Sequence, residues 1–339
     1  MSTQNLSISY TSIFRVIIVL LALYFIYLTR EVFVILFLSV ILAASFGPWV
    51  NWLQKHKIPR TLSILTIYIV LLAILALIII VMVPPIAEQI GQLAKSLPVF
   101  YERLALEFSP SGVDINQQNV LYETLQTMSS NLGQTTKSVF STLTGIFGGL
   151  VSFFAILVIV FYITVEEDIV KRFFFIFTPL HKKEYVSDLI DEIKKKMGMW
   201  LRGQLALSLI VGILTYIGLT VLGVKYALVL ALIAGLFEIV PFVGPWLSAV
   251  PAVLIGFSDS LTKVILILAL YFVIQQVENH LIVPKIMQKA VGLNPIIVII
   301  SILIGAKLFG VMGALIAVPI AAVIDVYLGQ VFPHYAKSK

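Results

Sequence analysis

Few residues in this chain have side chains capable of chemistry, and the most conspicuous is Glu238. It is the only charged residue between Lys225 and Asp259 and lies in the run Gly235-Leu-Phe-Glu-Ile-Val-Pro-Phe-Val-Gly-Pro245. Counted from Tyr226, helical rise carries it about 18 Å along its helix, close to the middle of a bilayer. A charge at that depth costs roughly 2.5–3.5 kcal/mol on insertion scales, so the carboxylate must face a cavity, meet a cation or carry a proton. A plainer reading is that it caps a helix break. A second group is Gln275, Glu278 and Asn279, spaced i, i+3 and i+4 on one helical face. Two amides and a carboxylate suit a hydroxyl-rich or cationic solute, and they equally suit an interfacial cap, because Pro284-Lys285 comes next. Arg202 at the start of the fifth span and Lys307 in the first arm of the last hairpin could balance either acid, although Arg202 could simply snorkel to the interface. Glu166-Glu167-Asp168 reads as a solvated helix end.

Other chemistries have no candidates. There are no cysteines, and the four histidines (His56, His181, His280, His334) are scattered without an H-E-x-x-H pair. Neither a G-x-S-x-G elbow nor a G-x-x-x-x-G-K-[ST] loop occurs. An enzyme is therefore not expected. No cofactor or metal is expected either, beyond a proton or sodium as coupling ion.

The elements that hold these residues emerge from composition. Of 339 residues 60% are apolar and only 12% charged, with a mean hydropathy of +1.05, against about 45–50% and about 25% in soluble domains. The predicted class is all-α integral membrane, which excludes a soluble enzyme, a nucleic-acid binder and a disordered chain. Runs 13–29, 32–47, 61–83, 143–165, 204–222 and 261–283 predict six full spans. The first lacks the basic flank and cleavage site of a secretory signal and is expected to stay attached. Segments 226–257 and 292–329 are interrupted, by Pro241 to Pro245 and near Gly310 to Gly313. Thirty-two residues reach about 48 Å as helix, too long for one untilted crossing and too short for two. Both segments are read as re-entrant hairpins; for the first, a single tilted and broken span is the alternative. Because proline leaves backbone groups unpaired, Glu238 to Gly244 and Gly310 to Gly313 become candidates for a transport pathway.

The expected organisation is a three-helix membrane segment (1–83), external amphipathic helices (84–142), a fourth span with a cytoplasmic charged helix (143–202), and a transport core (203–339). The stripe Val186, Leu189, Ile190, Ile193 and Met197 either lies on an anionic membrane surface or packs on neighbouring helices. Lys and Arg set the orientation. The 48–60 and 166–202 connections are basic, whereas 84–142 holds three basic residues against five acids. This places both termini in the cytoplasm, with Lys285, Lys289, Lys337 and Lys339 inside and Lys225 and Asp259 outside. Pro245-Trp-Leu-Ser-Ala-Val-Pro251 also parallels Gly313-Ala-Leu-Ile-Ala-Val-Pro319, so the C-terminal half reads as an inverted repeat of helix plus broken hairpin, as in many secondary transporters; chance similarity among Ala-, Val- and Leu-rich segments is the other reading.

The three motifs Gly235 to Pro245, Gln276-Val-Glu-Asn-His-Leu-Ile-Val-Pro284 and Gly310-Val-Met-Gly-Ala-Leu-Ile-Ala-Val-Pro319 resemble the AI-2E family of transporters. The likeness extends to the span order and to the insertion after the third span. It implies an inner-membrane protein exporting autoinducer-2 or exchanging sodium for protons, and a homopentameric assembly. By motif position it points to Glu238, Pro241, Gly244 and Pro245, and to Glu278, Asn279 and Pro284. The leading expectation is an ion- or proton-coupled carrier exporting a small polar solute, whose partners are the lipid bilayer, that solute or a monovalent cation, and other copies of the chain, with no nucleic acid. A monovalent cation/proton antiporter is the nearest alternative, and a membrane scaffold the next.

Overall fold

Backbone groups in hydrocarbon must be paired within their own segment, so apolar runs of this length have helix as their solution. The computed structural model describes residues 10–81, 84, 150–241, 243–290 and 292–332, and its regular elements are all helical. Five stretches among the described residues are long and apolar enough to cross a membrane: Arg30–Lys55, Arg60–Val81, Leu180–Val221, Leu261–Met287 and Pro295–Val331. The protein is an all-α membrane protein.

The N-terminal part contains α1 (Tyr10–Leu28), α2 (Arg30–Lys55), α3 (Arg60–Val81) and α4 (Leu150–Val165). These match the first four expected spans. Residues 143–149, and nearly all of the expected external helices at 84–142, lie outside the described residues. Ala43, Phe46 and Val50 of α2, Ile64 and Tyr68 of α3, and Ile156 and Val160 of α4 make one buried cluster. Two long-range hydrogen bonds fix the register: Tyr68 Oη donates to the Leu157 carbonyl (2.7 Å) and Arg60 Nε to the Thr164 carbonyl (2.7 Å).

A short helix, α5 (Ile169–Ile176), leads to α6 (Lys183–Val221). The sequence divides α6 at residue 202 into a cytoplasmic amphipathic helix and a span; the chain instead runs through as one 39-residue rod, about 58 Å long. In the stripe at 186–197, Ile190 and Met197 are buried and Ile193 packs on the core, while Val186 and Leu189 are half-buried, so the stripe serves helix packing. Small residues let α6 approach its neighbours closely: a Cβ on Gly198 would lie 2.6 Å from the Ala44 carbonyl of α2, the contact geometry that small residues permit between membrane helices.

Both interrupted segments fold back on themselves. In the first, α7 (Ala227–Phe237) is succeeded by α8 (Val243–Asp259), and Ala227 and Leu230 of one arm share a buried cluster with Ala252 of the other. These residues are nearly equidistant from the break, as a hairpin requires. Next come α9 (Leu261–Val277), a π-helical turn (Glu278–Ile282) and α10 (Val283–Ala290). The π turn has a local cause: Pro284 has no N–H, and its ring would clash with the carbonyl four residues back. The last element, α11 (Pro295–Val331), reverses at Phe309 (φ −134°, ψ 17°) and Gly310 (φ 59°, ψ −141°). Only glycine adopts the second of these conformations without strain. Ile302 before the reversal and Ala314 and Ala317 after it share a cluster with Ile41, Met197 and Trp200.

Charged groups gather at one end of the bundle. Arg60 pairs with Glu167 (2.6 Å) and Lys171 with Asp191 (2.6 Å), while Lys194 donates to the Glu167 carbonyl (2.8 Å). Lys196 reaches Asp325 (3.5 Å) and Gln330 donates to Glu192 (2.8 Å). The 48–60 connection, the 166–202 connection and the end of α11 therefore share one face, as the distribution of Lys and Arg predicts.

Candidate functional site

Glu238 is the first residue past α7, and three things hold it. Its N–H continues the helix, bonding to the Ala234 carbonyl at 3.0 Å. Its own carbonyl accepts a hydrogen bond from the side-chain amide of Gln204 on α6. Behind it the N-terminus of α8 closes in: a Cβ on Gly244 would collide with the Phe237 carbonyl, so the turn tolerates no side chain there.

The sequence predicts unpaired main chain at this break, and the structure corrects that. The N–H groups of Glu238, Ile239, Val240, Val243 and Gly244 all find carbonyls in or next to the turn, Pro241 has none to satisfy, and Gln204 covers the Glu238 carbonyl. Among the described residues the carboxyl itself is left without a donor. Glu238 is 0% exposed and neither of its oxygens receives a hydrogen bond.

The second acid comes from a different element. Glu278, 4% exposed, opens the π turn at the end of α9, and its carboxyl faces that of Glu238. The amide of Gln275 donates to Glu278 Oε2 (3.2 Å) and to Asn279 Oδ1 (3.2 Å). The expected i, i+3, i+4 face is thus assembled, with Glu278 turned inward and Asn279 exposed. A π turn adds one residue to a helical turn and rotates the next stretch of helix, a device frequent at functional sites.

The other candidates serve different parts of the fold. Arg202 Nη1 donates to the Ser45 carbonyl of α2 at 3.3 Å, and among the described residues no ion pair joins it to Glu238 or Glu278. Lys307 is exposed on the first arm of α11 and likewise pairs with neither acid. Pro241 lies in the turn, and the Pro245 carbonyl accepts from Ser248 Oγ (2.9 Å); the Ser248 carbonyl in turn accepts from Tyr271 Oη (3.3 Å), tying α8 to α9. Gly310 makes the reversal of α11, and Gly313 packs directly on the Gly305 carbonyl. These two glycines build the second hairpin, against whose buried cluster Val240, two residues past Glu238, also packs.

Sequence reasoning missed Gln204. It is 1% exposed, and its Oε1 has no partner. Ser208, one turn further along the same face of α6, also buries an unpartnered hydroxyl. Two buried, unpartnered oxygens, Gln204 Oε1 and Ser208 Oγ, thus lie on the side of α6 that meets the first hairpin. Among the described residues no group of three or more His, Cys, Asp or Glu could hold a metal ion. The oxygen-only donor set instead suits a proton or a small hard cation.

Comparison with known proteins agrees with this membrane architecture. Two Bacillus subtilis (strain 168) proteins named as putative transport proteins are similar to the chain. YueF is 30% identical over 315 residues, covering 89% of this chain and 85% of its own, and YrrI is 27% identical over 308 residues, covering 88% and 86%. The AI-2 transport protein TqsA of Escherichia coli (strain K12) is 23% identical over 318 residues, covering 88% of this chain and 86% of TqsA. The profile described as AI-2E family transporter matches residues 15–332, which takes in both hairpins and both buried acids, and the chain belongs to that family of membrane transporters.

Proposed function

We propose that the protein is a secondary carrier of the inner membrane, with both termini cytoplasmic, that exports a small polar solute of the autoinducer-2 type and couples this to a proton or sodium ion held between Glu238 and Glu278. The observation carrying the proposal is the facing of these two buried carboxyls with no basic side chain among the described residues paired to either. Two like charges in close contact at an effective dielectric of about 20 repel by roughly 4 kcal/mol. A proton or a small cation between them removes that cost, and its departure restores it. Such a pair responds to the ion gradient by construction. The solute class is taken from TqsA, an AI-2 transport protein by name, and the coupling from the acids.

A cation/proton antiporter without an organic substrate is the second reading. It is favoured by the unpartnered oxygens of Gln204 and Glu238, which fit an ion and offer no donors to a solute. Proteoliposomes separate the two. Loaded with labelled autoinducer-2 under an imposed pH gradient, the carrier loses label with time. Sodium-dependent collapse of the gradient without solute movement favours the antiporter. If neither solute nor proton moves, both readings fail. By the same proposal the working unit is a homo-oligomer, for which the family likeness to pentameric members is the support.

A further inference from the structure

The stretch 169–183 carries four basic residues (Lys171, Arg172, Lys182, Lys183) and no acid of its own; Glu166-Glu167-Asp168 precede it, Glu184 follows, and the exposed Arg172 pairs with Glu166 at 3.7 Å. It also displays five large apolar side chains to the outside: Phe173 (59% exposed), Phe174 (49%), Ile176 (76%), Phe177 (75%) and Leu180 (84%). Its height in the bundle is fixed. α5 starts four residues after the last residue of α4, and α4 ends level with the start of α3, because Arg60 bonds the Thr164 carbonyl and pairs with Glu167. The start of a membrane-crossing helix lies where hydrocarbon gives way to headgroups, so α5 lies there too.

The aromatic side chains are organised. Phe173 meets Phe174 and Phe177 edge-on, with ring centroids 5.6 and 5.7 Å apart. Lys183 Nζ sits 5.6 Å from the centre of the Phe175 ring. One side of the stretch is anchored to the bundle, through Lys171 to Asp191, and Phe173, Phe174 and Phe177 are exposed. An exposed apolar face bordered by Lys and Arg at headgroup height is the pattern of an interfacial helix on an anionic surface.

We propose that residues 169–183 form a docking surface for anionic phospholipid, with Phe173, Phe174, Ile176, Phe177 and Leu180 entering the acyl boundary and Arg172, Lys182 and Lys183 holding headgroup phosphates. This surface would serve the protein whichever solute or ion it carries. The sequence offers the stripe at 186–197 either as such a surface or as helix packing; Ile190 and Met197 of that stripe are buried, and the flanking helix α5 takes the surface position.

The absence of cysteine makes the test direct. A nitroxide is attached to Phe177→Cys in the full chain, reconstituted into vesicles of phosphatidylcholine alone or with phosphatidylglycerol. The expected result is a label about 5–10 Å below the headgroups, more accessible to oxygen than to a polar nickel relaxant and deeper in the phosphatidylglycerol vesicles. In about 1 M salt, where screening acts over about 3 Å, the difference between the lipids shrinks. It disappears in the Arg172→Gln/Lys182→Gln/Lys183→Gln variant, whose unchanged melting temperature confirms folding. A label that stays water-accessible in phosphatidylglycerol vesicles overturns the proposal, as does spin–spin broadening that shows a second copy seated on the patch. Equal depth in both lipids removes the role of the basic residues and overturns it too.

Discussion

The side-chain amide of Gln204 donates to the backbone carbonyl of Glu238, joining the middle of one long helix to the break in a hairpin 34 residues further on. This bond occupies the carbonyl of the buried acid itself. Replacing Gln204 by leucine leaves that carbonyl buried and unpaired, which costs about 1–3 kcal/mol. The expected outcome is a lower melting temperature in detergent for Gln204→Leu, whereas Leu205→Ala, at an exposed position on the same helix, melts close to the parent. Equal melting of Gln204→Leu and the parent would show that the bond contributes nothing.

Neutralising either acid separates function from stability. Glu238→Gln and Glu278→Gln each remove one of two facing carboxyls, and with it the like-charge repulsion that an ion relieves. Coupled flux in proteoliposomes is expected to drop by roughly tenfold or more in each variant, with thermal stability equal or higher. Flux that keeps its dependence on the imposed gradient in Glu238→Gln excludes the pair as the coupling site.

The hairpins should be intolerant of a single methyl group at their tightest contacts. A Cβ on Gly244 meets the Phe237 carbonyl, and Cβ atoms on Gly305 and Gly313 each meet the other's carbonyl, whereas one on Gly47 meets nothing within 4 Å. Overpacking typically costs about 1–3 kcal/mol, and here the obstacle is rigid backbone. Yields of folded protein by size-exclusion chromatography should fall for Gly244→Ala, Gly305→Ala and Gly313→Ala and hold for Gly47→Ala. Normal yields of all four would mean that the arms do not approach this closely.

Topology can be read by cysteine labelling. Gly203 of α6 lies against Ile286 of α10, so close that a Cβ on the glycine would come within 3.1 Å of it, and Gly203 is seven residues from Lys196 in the charged end of the bundle. Lys285→Cys and Lys182→Cys are therefore expected to react with an impermeant reagent from the same side, the cytoplasmic one. Reaction of Lys285→Cys from the opposite side would overturn the re-entrant hairpin at 226–257.

Span positions and the two reversals were legible because long apolar runs and clustered Pro and Gly report directly on membrane helices and their breaks. Glu238 and Glu278 stand out singly, for being charged in the wrong place. That they meet was not legible: 40 residues separate them, and the meeting depends on how α7 and α9 pack around α6 and on the turn imposed by the π segment. Arg202 drew attention as a charge and proved to serve the Ser45 carbonyl. Gln204 escaped notice because an uncharged amide beside Arg202 reads like any interfacial residue. The continuity of α6 was hidden as well, since Lys194-Lys195-Lys196 imitates a boundary that three-dimensional pairing with Asp325 and Glu167 makes unnecessary.

The unbroken course of α6 has a mechanical corollary. Asp191, Lys194 and Lys196 at its charged end and Gln204 at the buried acid are fixed along a single stiff axle, and Asp191 and Gln204 are only about 20 Å apart along it. A tilt of that axle that strains the ionic belt also drags the amide away from, or drives it into, the Glu238 carbonyl. The charged end of the bundle and the seat of the buried acid are thus geared to each other, and neither can shift without the other registering it.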